Sequence, residues 1–135
     1  MLLKFLGKHR DTGLLIMRIG LGIAFVIHGL PKLTKGPEAW KTVGAAMGNI
    51  GIHVYPEIWG FMAALTESLG GVLLILGLFY RPICLLLAFT MTVATLKHYK
   101  GGDDFMNKTS RPLELAIVFL GLSFIGPGRF SVDKD

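Results

Sequence analysis

The chain has 135 residues, of which 52% are hydrophobic and 17% are charged, and its mean hydropathy is +0.57. Soluble domains usually carry about 25% charged residues, and here the apolar residues occur in blocks, so we expect one integral membrane domain over residues 1–135. The net charge of +5 comes from Lys and Arg scattered at the ends of these blocks, where such side chains meet lipid headgroups. This distribution argues against nucleic acid as a partner. The single cysteine, Cys84, excludes an intramolecular disulfide and a CxxC redox pair.

The apolar blocks predict an all-α protein with four membrane-spanning helices. The predicted spans cover residues 12–31, 57–79, 82–98 and 112–126. A span needs about 20 apolar residues, with a lower limit near 17, so the third and fourth are short. Each of these two begins with an Arg-Pro pair, Arg81-Pro82 or Arg111-Pro112, and proline suits the first turn of a helix. We therefore predict a bundle of four transmembrane helices.

The basic N-terminus resembles the start of a signal peptide. Lys4, Lys8 and Arg10 precede the first apolar block, but Arg18 interrupts that block and no A-x-A-like cleavage site follows. We therefore expect an uncleaved first helix in a bacterial-type inner membrane, with the N-terminus in the cytoplasm. Four spans would return the C-terminus to the same side.

A long connection separates the first two predicted spans. Pro31 is expected to end the first helix or to kink its last turn. The segment from Pro37 to Met47 is amphipathic and predicts a short interfacial helix with Trp40 at the level of the headgroups.

Ionisable residues inside the apolar blocks are the candidate site. They are Arg18, His28, Lys32, Glu67, His98 and Glu114. Glu67 lies in a stripe of small residues that includes Gly60, Ala64 and Gly71, and small residues let helices approach closely in lipid. Glu67 should therefore face another helix, because a charge at that depth costs about 3 kcal/mol on insertion scales.

Depth along the helices predicts two polar groupings. Arg18 and Glu67 are expected to pair deep in the bundle, since a long guanidinium can reach the carboxylate. Nearer one membrane face, His28, Lys32, His98 and Glu114 are expected to gather in one layer.

Each of these residues also has a structural interpretation. The Arg18–Glu67 pair would fix helix order, Lys32 and His98 would reach the interface from helix ends, and Glu114 would favour the dipole of a first helical turn. A haem between His28 and His98 is disfavoured because both lie near helix ends beside Lys32. No metal site is expected, since zinc needs three or four ligands.

Several motifs give the chain a resemblance to the DoxX family of small four-helix membrane proteins. They are Arg18-Ile-Gly-Leu-Gly, His28-Gly-Leu-Pro-Lys32-Leu33, Glu67-Ser-Leu-Gly-Gly, Arg81, His98, Glu114-Leu-Ala and Gly126-Pro-Gly-Arg129-Phe-Ser-Val-Asp133. The resemblance runs nearly end to end. The single cysteine departs from any relative that would use a cysteine pair.

The resemblance implies a role beside membrane redox enzymes, because some family members are linked to quinone-dependent oxidation and to oxidative-stress defence. We therefore expect an accessory or quinone-interacting subunit with no cofactor of its own, a quinone as ligand, and a redox protein in the same bilayer as partner. His28, Lys32 and His98 would donate to quinone carbonyls, and Glu67 or Glu114 would exchange protons. Two alternatives stay open, a non-enzymatic scaffold or assembly protein and a carrier of protons or small solutes, and either could form a homo-oligomer.

Overall fold

The computed structural model describes residues 2–133, and its regular structure in that range is entirely helical. Five α-helices follow one another, here named α1 (Arg10–Thr34), α2 (Pro37–Gly44), α3 (Pro56–Leu76), α4 (Tyr80–Lys100) and α5 (Ser110–Ile125). A 3-10 helix, Lys4–His9, precedes α1, and another, Ala45–Ile50, follows α2. A π-helical turn, Phe105–Thr109, leads into α5.

Three helices within residues 2–133 are long and apolar enough to cross a membrane. They are the N-terminal stretch Lys4–Thr34, α3 and α4. The predicted fourth span corresponds to α5, which has 16 residues and therefore extends about 24 Å at 1.5 Å per residue. The helix predicted between the first two spans is present as α2. Its proline at the first turn and the proline of α3 occupy the position that best tolerates a missing N–H.

Helix α1 continues through Pro31 to Thr34 instead of ending there. The proline lies in the last turn, so its missing N–H and its ring disturb the helix only near its end. Two later groups close this end: the backbone N–H of Lys35 donates to Pro31 O at 3.0 Å, and Trp40 Nε1 donates to Leu33 O at 3.2 Å. This extra turn is what places Lys32 on a helix.

Glycines set the close packing of α1 on α3. A methyl group added to Gly22 would lie 2.5 Å from Gly71 O, and one added to Gly71 would lie 2.6 Å from Gly22 O. Seven residues further along α1, a methyl on Gly29 would lie 2.7 Å from Glu67 Cβ. The two helices are therefore antiparallel, and their register puts Gly29 beside Glu67.

The remaining helices complete a ring around a buried core. Helix α4 packs along α5, α2 packs across the first half of α3, and Phe25 of α1 meets Phe119 of α5 edge to face with ring centroids 5.2 Å apart. The tight link between α3 and α4 is closed by Gly77 in the left-handed region, where the N–H of Leu78 donates back to Leu73 O at 3.0 Å.

The antiparallel arrangement gives the bundle two ends. We call the end where α1 and α4 finish the Lys32 end, and the end where α3 finishes and α4 begins the Arg18 end. The tail after α5 folds over the Arg18 end: Val132 N donates to Leu76 O, and Asp133 accepts from Phe79 N at 3.0 Å and Tyr80 N at 2.8 Å. Asp133 thereby caps α4 and holds Phe79 at its positive φ of 50°.

Candidate ligand-binding cavity

A cavity of about 310 Å³ opens toward the Lys32 end between α2, α3 and α4. Its size lies at the lower end of the range of small-molecule pockets, about 300–1,000 Å³. Most of its wall is apolar, and the polar groups are few. The residues that line it are Lys32, Val43, Gly44, Ala46, Met47, Trp59, Met62, Ala63, Thr66, Glu67, Leu86, Phe89, Thr90, Val93, Ala94, Lys97 and His98.

The strongest polar feature of the cavity is an ion pair between α1 and α3. Lys32 Nζ lies 3.1 Å from Glu67 Oε2 and 3.3 Å from Oε1. The Glu67 side chain is 5% exposed and the Lys32 side chain 40%. The carboxylate is therefore held inside the protein, while the ammonium spans the distance from it to the surface.

A second polar pair stands at the end of α4. His98 lines the cavity, and its Nδ1 lies 2.6 Å from Asp103 Oδ2 in the following loop. Because a carboxylate only accepts hydrogen bonds, Nδ1 carries the hydrogen and Nε2 remains for exchange with a ligand. The hydrogen bond from His98, with the charge of Lys108 adding to it, lowers the pKa of Asp103 from its ordinary value.

The structure brings three of the predicted site residues together. Lys32, Glu67 and His98 all line the cavity and come from three different helices. Lys32 and His98 were predicted to share a layer, whereas Glu67 was predicted to pair with Arg18 instead. The arrangement puts a cation, a buried carboxylate and an imidazole in the wall of one largely apolar space. Such a set can donate to a ligand carbonyl and can exchange protons with it.

The predicted Arg18–Glu67 pair is wrong. Arg18 is buried at the end of the bundle where α3 finishes. There it donates to four carbonyl oxygens, those of Leu74 at 3.0 Å, Ile75 at 2.8 Å, Pro127 at 3.1 Å and Phe130 at 2.7 Å. The register of α1 on α3 explains this placement: Gly29 lies beside Glu67, so Arg18 lies three turns of helix away from it. Arg18 joins the end of α3 to the tail.

His28 and Glu114 do not line the cavity. Both are exposed on the outer surface, His28 on α1 and Glu114 on α5. The predicted four-residue layer is therefore wrong for these two members. Gly29 and Val26 of α1 lie on the side that faces α3. Lys32 lies near this side, one turn after Gly29. His28 is turned by about 100° from Gly29, away from Val26, and therefore lies on the outer side.

Sequence reasoning did not single out Lys97, Asp103, Thr66 or Thr90. One available signal was the spacing of Asp103, five residues after His98, which lets a loop carboxylate fold back on the last helical turn. Thr66 and Thr90 line the cavity, but each hydroxyl bonds a carbonyl four residues earlier in its own helix.

Comparison with known proteins agrees with the fold and the membrane setting. The DoxX family model matches residues 13–100. "Inner membrane protein YphA" of Escherichia coli is 30% identical over 135 residues, covering 95% of this chain and 93% of that protein. "Putative oxidoreductase CatD" of Bacillus subtilis is 34% identical over 128 residues, covering 95% of this chain and 90% of that protein.

A third relative, "Inner membrane protein YqjF" of Escherichia coli, is 30% identical over 132 residues, which cover 94% of each chain. No solved structure matches this chain. The family match, the near full-length relatives and the apolar helices agree with one another. The chain is an integral membrane protein and belongs to the DoxX family.

Proposed function

We propose that this protein binds a quinone head group in the cavity at the Lys32 end and serves as a non-catalytic subunit of a membrane redox system. The observation that carries the proposal is the cavity itself, an apolar space of about 310 Å³ whose charged groups include Lys32, Glu67 and His98. A quinone ring needs apolar walls, donors for its carbonyl oxygens and a proton-exchanging group nearby.

The donor set fits such a ring. Lys32 can donate a hydrogen bond to a carbonyl oxygen, and His98 can donate from Nε2 only when both of its ring nitrogens carry a hydrogen. The Glu67 carboxylate, held by Lys32, is the acidic group available for proton exchange inside the cavity. A bound quinone would supply the capacity to carry electrons and protons together, which these side chains lack. The protein's own part is to bind, orient and exchange protons, and the electron transfer is assigned to a partner protein in the same membrane.

Two lines of family evidence support a redox setting. The CatD relative is named as an oxidoreductase, and the family resemblance implies quinone-linked and oxidative-stress systems. Both support the proposed redox role, and the proposed location of the site rests on the cavity geometry.

The same proposal includes a membrane placement. Helix α5 forms the fourth span despite its 16 residues, because its neighbours α4 and α1 extend beyond it and a short span is met by local thinning of the bilayer. Helix α2 lies at the interface of the Lys32 end. An even number of spans places both termini on one side, which the basic N-terminus assigns to the cytoplasm.

Fluorescence quenching tests the quinone site directly. Trp59 lines the cavity and is one of two tryptophans, so a bound quinone should quench it, and the signal should disappear in Trp59→Phe. Titration with ubiquinone and menaquinone analogues should give saturable binding. Lys32→Met should weaken that binding about tenfold or more, because it removes a charged donor worth about 1.5–3 kcal/mol.

The matched control is His28→Ala, one turn earlier on the same helix and outside the cavity. It should bind as the wild type does. Absence of quinone binding in the wild type, or equal loss in Lys32→Met and His28→Ala, would overturn the proposal in favour of a scaffold.

A proton carrier is the second candidate, favoured by one observation. Glu67 is buried in the middle of α3, and its partner Lys32 reaches the surface, which is the arrangement of a proton-exchanging group with access to one side. Proton flux into liposomes that disappears in Glu67→Gln would support this function. Unchanged flux in that variant would remove it.

A further inference from the structure

The space between α3 and α4 is closed at one end and open at the other. A methyl group placed on Gly70 would meet Ile83 Cγ2 at 3.5 Å and Leu87 Cδ1 at 3.8 Å, which is ordinary van der Waals contact. The helices therefore touch at this level. Toward the Lys32 end the cavity is lined by Met62, Ala63 and Thr66 of α3 and by Leu86, Phe89 and Thr90 of α4.

Some of the residues that line the cavity also form the outer surface of the bundle. Met62 is 50% exposed, Leu86 50% and Phe89 51%. All three are apolar, and Leu86 and Phe89 lie in the first half of α4, well inside a helix long enough to cross a membrane. Exposed apolar side chains in membrane-spanning helices contact acyl chains, so an opening between these three residues would face the bilayer and not water.

We propose that the cavity is filled sideways from the bilayer, through this opening between α3 and α4, by an amphiphile with a long apolar tail. The opening is named here the lateral portal and consists of Met62, Leu86 and Phe89. The polar head lies against Lys32, Glu67 and His98, and the tail passes between the portal residues into the lipid. The inference rests on the proposed function for the identity of the head, which makes the ligand a long-tailed quinone and not a water-soluble one.

The amphipathic shape of the site supports this occupant. Its charged or ionisable lining residues are Lys32, Glu67, Lys97 and His98, whereas the portal residues Met62, Leu86 and Phe89 are apolar and offer no charge to recognise a soluble ligand. A tail that remains among acyl chains also loses little on binding, because lipid and portal are equally apolar. The head alone then accounts for specificity, and the tail directs entry.

Two neighbouring leucines provide the test. Leu86 lines the cavity, whereas Leu85 does not, and the two are 50% and 51% exposed. Leu86→Trp should obstruct the portal, and Leu85→Trp should add the same bulk to a lipid-facing surface. Binding is measured with tritium-labelled ligands in nanodiscs, with one benzoquinone ring carrying a decyl tail and the same ring without it.

We expect the tailed ring to bind the wild type and Leu85→Trp alike, and to bind Leu86→Trp at least about tenfold more weakly. Because Leu86 also lines the cavity, the tail-less ring should lose less affinity in Leu86→Trp than the tailed ring does, and the thermal unfolding midpoint verifies that this variant is folded. An equal loss for both rings would place the tryptophan in the head-group space and overturn the portal. Equal binding of the tailed ring to both tryptophan variants would overturn the portal while leaving the quinone site in place.

A third ligand separates the two proposals. A decyl-tailed phenol shares the tail and lacks quinone chemistry. If neither quinone binds while the phenol binds the wild type and is lost in Leu86→Trp, the portal stands and the proposed function fails. If none of the three ligands binds the wild type, both proposals fail.

Discussion

Lys32 and Glu67 form an ion pair that crosses from α1 to α3, with Lys32 Nζ within 3.1 Å and 3.3 Å of the two carboxylate oxygens. The two partners differ in their access to water, because the Glu67 side chain is 5% exposed and the Lys32 side chain 40%. The loss of one partner therefore has different consequences for the two residues. Lys32 can turn outward to water when Glu67 is removed, whereas Glu67 cannot when Lys32 is removed.

Removing Lys32 should therefore destabilise the protein more than removing Glu67. Lys32→Met strands a buried carboxylate and should cost about 1–3 kcal/mol of unfolding free energy, whereas Glu67→Leu leaves a lysine that reaches the interface. The double variant should recover most of the loss. Reversible unfolding in mixed micelles measures all three, and a double variant no better than Lys32→Met alone would contradict the pairing.

Arg18 should be energetically independent of Glu67. Its four hydrogen bonds go to carbonyls of α3 and the tail, and hydrogen bonds to charged groups contribute about 1.5–3 kcal/mol each. Arg18→Met should thus be severely destabilising, by more than about 3 kcal/mol. Glu67→Leu should not rescue it, and the coupling between the two sites should stay within about 0.5 kcal/mol. Rescue of Arg18→Met by Glu67→Leu would restore the pairing that the structure rejects.

A side chain at position 22 should destabilise the packing of α1 on α3, whereas a side chain at position 20 of the same helix should not. A methyl on Gly22 would lie 2.5 Å from Gly71 O, and a methyl on Gly20 would meet no atom within 4 Å. We expect Gly22→Ala to force α1 from α3 and cost about 1–3 kcal/mol, and Gly20→Ala to be neutral or slightly stabilising. Thermal unfolding in one detergent compares the two. Equal midpoints would mean that α1 and α3 do not meet at these glycines.

Asp103 should titrate at unusually low pH because of His98. The hydrogen bond from His98 lowers the pKa of Asp103 from a reference of about 3.9, so the folded protein takes up this proton less readily than the unfolded chain. The stabilisation of the loop is therefore complete above the unfolded value and is lost as the pH falls through the folded pKa.

Site-resolved carbon NMR of Asp103 measures this pKa. His98→Leu, which removes the donor, should raise the midpoint toward the reference value, and Lys108→Ala, which removes only a charge, should raise it less. A larger effect of Lys108→Ala than of His98→Leu would show that the hydrogen bond is not the main cause.

The helices were predictable from the sequence because apolar blocks and proline positions mark them. The predicted span 82–98 lies within Tyr80–Lys100, and the predicted span 57–79 matches Pro56–Leu76 to within a turn. The stripe of small residues on α3 correctly indicated a close helix neighbour, since Gly71 meets Gly22 backbone to backbone.

The partners of the charged residues were not predictable, because they depend on register. The small residues of α3 recur at about one-turn intervals, from Gly60 through Ala64 to Gly71, so α1 could slide along α3 by a turn without changing the pattern. Arg18 and Lys32 lie nearly four turns apart on α1, so a slide of several such turns decides which of them meets Glu67. Helical periodicity also could not predict how the tail after α5 folds, and this tail supplies two of the four carbonyl oxygens that accept hydrogen bonds from Arg18.

Photolabelling tests most directly whether a quinone lies in the cavity beside Lys32 and Glu67. An azidoquinone with a decyl tail, irradiated with the protein in nanodiscs, should label peptides from Pro56–Leu76 and Tyr80–Lys100 at the cavity wall. Excess unlabelled tailed quinone should suppress this labelling, and Lys32→Met should reduce it. Label that spreads over the outer faces around His28 and Glu114, and that does not respond to the competitor, would contradict the account.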